Sequence, residues 1–444
     1  MIKNPEKKQK RVYFDWAASA PNIDFSENTL YGNPSSKHSE GRAAKAAIED
    51  ARERCAAVLK VPPETLYFTS GGTESNSIAL FSNLTRKGHG RILASMAEHA
   101  SIREGMETLA KMGKPCGKIE VDASGRVTAE TFERALDKNS DTAGSVRFVS
   151  IMSVNNETGA VTDIPSIKDV IRKKTDSGRP PIHFHCDLVQ AVGKIPFDIQ
   201  TWEIDSASIS AHKIGGHRGI GLLYLRKPLE IFYSGGGQEK GVRGGTENVM
   251  GAIALANCLE DCVTKQQELG NREWGVGSRE SGEKFEPMLK YFFQAEKRWN
   301  KLMTALSNID RCTLIPKNRS APITPLPTPH SLLPTSHSPL PTPNSLHPTP
   351  HSPLPTPNFS PYILQAAFKG IPGEVMARAL DDLGFAVSTG SACSSSSNER
   401  PVLAAMGVDE TLRMEGIRIS QGYTTTDKDI DLLVGAITEV LKFL

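Results

Sequence analysis

Val146-Arg147-Phe148-Val149-Ser150-Ile151-Met152 is an apolar run of strand length, and Ile164 to Lys174 downstream has the spacing of a helix. The same alternation extends outward from Ala43 to Val263. Arg91-Ile92-Leu93-Ala94-Ser95 and Ser206-Ala207-Ser208-Ile209-Ser210 read as strands, and Ala43 to Leu59 as a helix. Strand and helix in turn predict an α/β layered domain on a mostly parallel sheet. Ligands of such sheets gather at the carboxyl ends of the strands.

The chain has 444 residues, too many for one small core, and predicts a large domain followed by a smaller one. A hydrophobic share of 38% and a formal net charge of +2 give no electrostatic case for nucleic acid or an anionic membrane. No apolar run approaches the roughly 20 residues that span a bilayer. The basic start Met1 to Lys10 is followed by no hydrophobic stretch of signal type. Seven cysteines, an odd number scattered along the chain, argue for a reducing compartment, with the cytoplasm as the expectation.

The large domain is expected over residues 12–263. Thr264 to Arg298, charged and carrying Gly270, Gly275, Gly277 and Gly282, reads as an irregular connection into a helix at Trp299 to Leu306. The remainder, 299–444, reads as a small α+β unit. Its strands are expected at Pro361 to Phe368 and Ala386 to Ser388, its helices at Gly373 to Leu383 and Asp427 to Leu441. Within it, Thr324 to Asn358 repeats a seven-residue unit five times: TPLPTPH, SLLPTSH, SPLPTPN, SLHPTPH, SPLPTPN. Closely spaced prolines remove donors and fix φ, so an exposed polyproline-like or disordered insertion is expected. It reads as a tolerated insertion, or else as a ligand for proline-recognition domains or a weak histidine metal site.

Ser208-Ile209-Ser210-Ala211-His212-Lys213-Ile214-Gly215-Gly216 brings one lysine off a strand into hydroxyl, imidazole and glycine neighbours, badly placed to snorkel and well placed as a nucleophilic amine. Thr69-Ser70-Gly71-Gly72-Thr73-Glu74-Ser75 precedes a helical run expected near Asn76 and offers free N–H groups to a phosphate, or only a helix cap. In His183-Phe184-His185-Cys186-Asp187 the alternate residues share one strand face. Either they hold zinc, or Asp187 is a buried carboxylate for a heterocyclic nitrogen, with Gln190 nearby as a donor. Cys258 and Cys262, four apart on an apolar helix, read as small core residues. Gly390-Ser391-Ala392-Cys393-Ser394-Ser395-Ser396-Ser397 presents one thiol on a small-residue loop, and Arg418-Ile419-Ser420 an arginine suited to a carboxylate.

In this order, these segments resemble the cysteine desulfurases, class V members of the fold-type I pyridoxal-phosphate enzymes. Further motifs are Tyr31-Gly32-Asn33-Pro34-Ser35-Ser36, Glu98-His99, Val154-Asn155-Asn156-Glu157-Thr158-Gly159 and Arg243-Gly244-Gly245-Thr246. The resemblance runs from Val12-Tyr13-Phe14-Asp15 to the C-terminal helix, without the heptads and most of the charged connection. It implies a mostly parallel seven-stranded sheet, with the first 25 or so residues packing on the small domain. Ala211 stands where glycine is usual, His217-Arg218 where proline is frequent, and Tyr362 to Phe368 lacks an expected Asn and Ser.

By that resemblance Lys213 would carry pyridoxal 5'-phosphate on its amine and move the substrate Cα proton. Gly72, Thr73, Ser210 and His212 would hold the phosphate, joined by Thr246 across a homodimer interface. His99 would stack on the ring and act in catalysis, Asp187 would pair with the ring nitrogen, and Asn156 and Gln190 would address the ring oxygen. Asn33 and Arg418 would bind the substrate carboxylate. Cys393 would take the sulfur of L-cysteine as a persulfide, releasing alanine and serving a sulfur acceptor or cluster-scaffold protein. The alternatives are a selenocysteine lyase, another class V aminotransferase, or a cofactor-binding scaffold disabled by the insertion.

Overall fold

The computed structural model describes residues 30–86, 90–139, 145–233, 235–273, 288–320, 357–390, 400–422 and 424–444. Helix α1 (Ser39–Leu59) leads into β1 (Leu66–Thr69), α2 (Gly72–Phe81), β2 (Arg91–Ser95), α3 (Ala100–Lys111), β3 (Cys116–Ile119) and α4 (Ala129–Lys138). Then follow β4 (Val146–Ser150), α5 (Ile164–Asp176), β5 (His183–Asp187), β6 (Ser206–Ser210), β7 (Gly221–Leu225) and α6 (Val249–Glu273). Among the described residues these strands form one seven-stranded sheet in the order β1-β7-β6-β5-β4-β2-β3. Only β7 runs against its neighbours, so the sheet is mostly parallel, as expected. Strands β6 and β7 are buried along their whole length, the pattern of a sheet covered on both faces.

On one face α1 packs against α6. Ala44, Ile48, Ala51 and Cys55 recur every three or four residues and meet the core that holds Leu255, Ala256 and Leu259. Each such Ile or Leu contributes about 1.5–3 kcal/mol by leaving water. His38 starts α1, its Nδ1 accepting the Gly41 N–H at 3.2 Å, and Lys60 ends it in the left-handed region at φ 56.

The small unit begins with α7 (Met288–Ser307) and continues through β8 (Cys312–Ile315), β9 (Ile363–Phe368), α8 (Gly373–Asp382), α9 (Pro401–Ala405), α10 (Glu410–Glu415), β10 (Gly416–Ser420) and α11 (Asp427–Phe443). Its three strands pair antiparallel in the order β10-β9-β8 over Trp299, Leu302, Leu306, Phe368, Met376 and Ile437. The charged connection differs from expectation: α6 runs on to Glu273 and α7 starts at Met288, so much of it is helical. Long charged side chains are good helix formers, and Gly270 is tolerated inside α6. Ala386 to Ser388 forms only a bridge, Ser388 to Arg418.

Most of the heptad insertion lies outside the described residues, but both of its flanks grip the large sheet's loop at Thr158 to Val161. Asn358 O accepts the Val161 N–H at 3.0 Å and Ser360 N donates to Gly159 O at 2.7 Å. Arg319, 1% exposed, donates to Thr158 O and to Ser360 O, and lies 4.6 Å over the Phe359 ring. Gly159 sits at φ 73, and a Cβ there would come within 2.6 Å of Ile363 O. Deleting Thr324 to Thr356 while keeping Pro357 and Asn358 is therefore expected to leave thermal unfolding unchanged, or improved by about 2 kcal/mol through the shorter loop. Extending the deletion through Asn358 removes a docking bond, and calorimetry should register a lower melting temperature.

Candidate active site

Because β1, β2, β4, β5 and β6 run the same way, their carboxyl ends share one edge of the sheet. The expected site residues leave from that edge: Gly72 after β1, His99 after β2, Asn156 after β4, Asp187 at the end of β5, and Ser210 to Lys213 at the end of β6. A cavity of about 390 Å³ opens there, lined by Asn156, Gln190, His212, Lys213 and Arg418 among others.

Beyond Ser210 the chain turns once, with Ile214 N and Gly216 N both donating to Ala211 O at 3.0 and 2.9 Å. That hook sets Lys213 at the cavity wall. Contrary to the sequence reading, its side chain is exposed rather than withheld from solvent. It stands at a strand end where the turn opens the backbone outward.

Helix α2 begins at Gly72, four residues earlier than the sequence suggests, because Ser75 N already returns to Gly71 O at 3.1 Å. Gly71, at φ 150, adopts a backbone that favours glycine. A Cβ on Gly72 would meet Val189 Cγ2 at 2.7 Å, and one on Gly71 would lie 3.6 Å from Ser210 Oγ. The first turn of α2 thus lies against Ser210, whose Oγ bonds His212 Nδ1 at 2.8 Å. Burial, then Lys213 and Arg218, push the His212 imidazole below its ordinary range. Thr73 is exposed on the same turn.

Asp187 is 3% exposed; its Oδ1 accepts Val189 N at 2.9 Å and its Oδ2 accepts Asn76 Nδ2 at 2.8 Å. His99 is the N-cap of α3, its Nδ1 accepting Ser101 N at 3.2 Å, and burial pushes its pKa down against the pull of Asp187. Glu98 beside it is buried, accepts Met152 N at 2.6 Å and Ser150 Oγ at 3.0 Å, and is pushed up to about 8 by burial and by Asp187. Both causes favour its protonated form. Gln190 Oε1 accepts from Lys194 Nζ, whose amine burial and Lys213 push down to about 7. Arg418 on β10 donates from Nη1 to Asn156 O at 2.9 Å, tying the small sheet to the cavity floor.

The remaining expected residues are not all gathered at the cavity. Asn33 is not brought to the cavity: its Oδ1 closes its own turn on Ser35 N at 2.9 Å, and a short polar side chain beside a proline does so readily. Thr246 is exposed on the loop before α6, where Gly245 N bonds Gln238 Oε1 at 3.1 Å. Cys258 and Cys262 line the cavity instead of packing in the core, and Cys258 Sγ donates to Ile214 O at 2.8 Å. Helical periodicity placed them on the inward face, yet that face opens onto the site. His183 and His185 share the face of Asp187 as expected, but both bond Ser206 Oγ at 2.8 Å. Cys393 lies outside the described residues. Ser388, among the last described residues before it, exchanges backbone bonds of 3.2 and 2.5 Å with Arg418 of the cavity wall.

Sequence reasoning missed Asn76, Ser101 and Lys194. Lys194 follows Gln190 by four residues, which could have flagged the pair. Asn76, one residue beyond the glycine loop, carries no local signal.

The profile of the aminotransferase class-V family matches residues 12–270. A NifS/IcsS protein homolog of Lactobacillus delbrueckii subsp. bulgaricus is 31% identical over 97% of this chain and 97% of its own length. A relative named cysteine desulfurase IscS, from Dictyoglomus turgidum, is 32% identical over 98% of this chain and 96% of its own. A solved structure titled NIFS-like protein superposes with a TM-score of 0.72 at 29% identity, covering 94% of this chain and 93% of that one.

Proposed function

This chain belongs to the aminotransferase class-V family, and from that premise we propose that it is a pyridoxal-phosphate-dependent L-cysteine desulfurase. The observation that carries the reading is one cavity, at the carboxyl ends of the parallel strands, that gathers Lys213, Gln190, Asn156 and Arg418. Ser388, on the described chain before Cys393, bonds the backbone of Arg418 there.

The residues present fit the cofactor. Asn156 Oδ1 is buried on the cavity wall with no hydrogen-bond partner among the described residues, a cost of about 1–3 kcal/mol that a polar ligand removes. The Gly72 N–H opens α2 beside the Ser210 hydroxyl, where a side chain at Gly72 would not fit. Gly72, Thr73, Ser210 and His212 would hold the phosphate. Thr246, exposed on its loop, would reach that of a second copy in a homodimer. Asp187 would hold a proton on the ring nitrogen, His99 would lie on the ring face, and Asn156 and Gln190 would bond the ring oxygen.

The cofactor, when bound, supplies an electron-withdrawing ring that stabilises negative charge at the substrate Cα. Lys213, at the cavity wall, moves the Cα proton through its ε-amine. Arg418, anchored on Asn156 O, presents its remaining donors to the substrate carboxylate and sets its orientation. The thiolate of Cys393 attacks the substrate sulfur: an S–S bond forms, the C–S electron pair stays on carbon, and alanine follows after protonation. The persulfide is then passed to an acceptor protein for iron–sulfur cluster or thiocofactor assembly. No described helix is long and apolar enough to cross a membrane, and we place the activity in the cytoplasm.

Cys393→Ser is the direct test, with alanine and sulfide measured from cysteine and, in parallel, from selenocysteine. The variant should keep the visible absorption of the bound cofactor and lose cysteine turnover by roughly 10²-fold or more. Undiminished turnover would remove Cys393 from the mechanism, and selenocysteine turnover alone would favour the lyase.

A further inference from the structure

We propose that Asn76 is a positioning residue that orients both Asp187 and His99, and that the buried imidazole of His185 sets the direction in which its amide points. The proposal rests on the reading of Asp187 as the cofactor's ring-nitrogen partner, but the network itself is legible without a ligand. A carboxylate only accepts, so the group facing Asp187 Oδ2 at 2.8 Å must be the Asn76 amide nitrogen. The amide oxygen then faces His185 Nε2 at 2.9 Å, and an oxygen that only accepts requires a hydrogen on that nitrogen. A neutral imidazole carries one such hydrogen, so His185 Nδ1 is an acceptor and Ser206 Oγ, 2.8 Å away, must donate to it. With its proton so used, Ser206 accepts from His183 Nε2, also at 2.8 Å.

The result is four bonds in series, each donor aimed toward Asp187, through groups that are buried apart from the partly exposed His183. Neutrality is enforced by burial, which pushes His185 down to about 3 and His183 likewise. Ser208 Oγ, 3.5 Å from His185 Nε2, can accept or donate and does not alter the order.

Asn76 also forks. Its amide nitrogen lies 2.9 Å from Ser101 Oγ, which stands 2.9 Å from His99 Nδ1. Ser101, accepting from Asn76, gives its own proton to His99 Nδ1, where the Ser101 N–H also arrives. Doubly accepting at Nδ1, His99 keeps its proton on Nε2. One side-chain amide thus holds the acid–base states of both residues, and such chains polarise one another.

The test begins with cofactor-free protein labelled with ¹⁵N in histidine. NMR should find His185 and His99 neutral, each with its proton on Nε2; a proton on Nδ1 of His185 would reverse Asn76 and overturn the proposal. On the loaded protein, Asn76→Leu and His185→Leu should shift the pH midpoint of the visible band. His185→Gln, whose amide nitrogen can stand in for Nε2, should return it toward the wild-type value. Ser101→Ala should disturb the His99 proton alone. Leu variants that melt lower yet keep the wild-type midpoint would assign the network a merely structural role and refute positioning. Should Asn76→Leu fail to fold, the His185 pair carries the same decision. A colourless wild type with His185 protonated at Nε2 would instead sink the cofactor reading.

Discussion

Lys213→Ala protein, purified with pyridoxal phosphate present, is expected to lose the visible absorption band of the wild type and roughly 10⁴-fold or more of its cysteine turnover. The loss combines two roles of one amine. Lys213 stands at the cavity wall at the end of β6, placed there by the hook at Ala211. General acid–base work alone is worth about 10²–10⁴-fold, and covalent attachment of the cofactor adds to it. Lys213→Arg keeps the positive charge but supplies no nucleophile, so it should be equally colourless. Absorption spectra and single-turnover alanine formation check both variants. A normal band in Lys213→Ala would mean that another amine carries the cofactor, and Lys194 on the same wall would be the first to examine.

Arg52→Met is expected to destabilise the fold by about 3–5 kcal/mol, the largest stability effect of any single side chain discussed. Arg52 and Glu239 are 4% and 6% exposed and form two parallel bonds of 2.8 Å. Arg52 also donates to Leu66 O at 2.8 Å and lies 5.0 Å from the centre of the Phe68 ring, while Glu239 accepts Phe68 N at 2.9 Å. The pair therefore joins α1, the edge strand β1 and the turn at Glu239, whose φ of 45 is costly for a side-chain-bearing residue. Removing Arg52 leaves a buried carboxylate without its cation. Removing both charges, as Arg52→Met with Glu239→Leu, removes the desolvation cost as well and should recover much of the loss. Denaturant unfolding of the two singles and the double closes the cycle. A single-variant cost below about 1 kcal/mol would class the pair with exposed ones.

The expectations that held were those carried by short-range signals. Ser206–Ser210 and Arg91–Ser95 are strands with the expected ends, because runs of strand length flanked by turn residues have few alternatives. Much of Thr264 to Arg298 is helical against expectation, because charge and glycine content say little about helix where long polar side chains favour it. Helix-period spacing located Cys258 and Cys262 on the inward face of α6 but could not tell a packed interior from a cavity wall.

The residues around Asp187 show the same division. The alternation His183, His185, Asp187 on one strand face is a local property of a β-strand and needs only the sequence. What those histidines face is not local. Asn76 arrives from α2, more than a hundred residues earlier, and Ser206 from the neighbouring parallel strand.

Strand period, glycine at the α2 entry and the lysine after β6 were thus determined by the sequence itself, since each depends on neighbours a few residues away. The bonding of Asp187, the withdrawal of Asn33 into its own turn, the anchoring of Arg418 on Asn156 and the Arg52–Glu239 pair were decided only by the tertiary structure. Each depends on which atom of a distant element fills a buried donor or acceptor, and that is set by packing across the sheet.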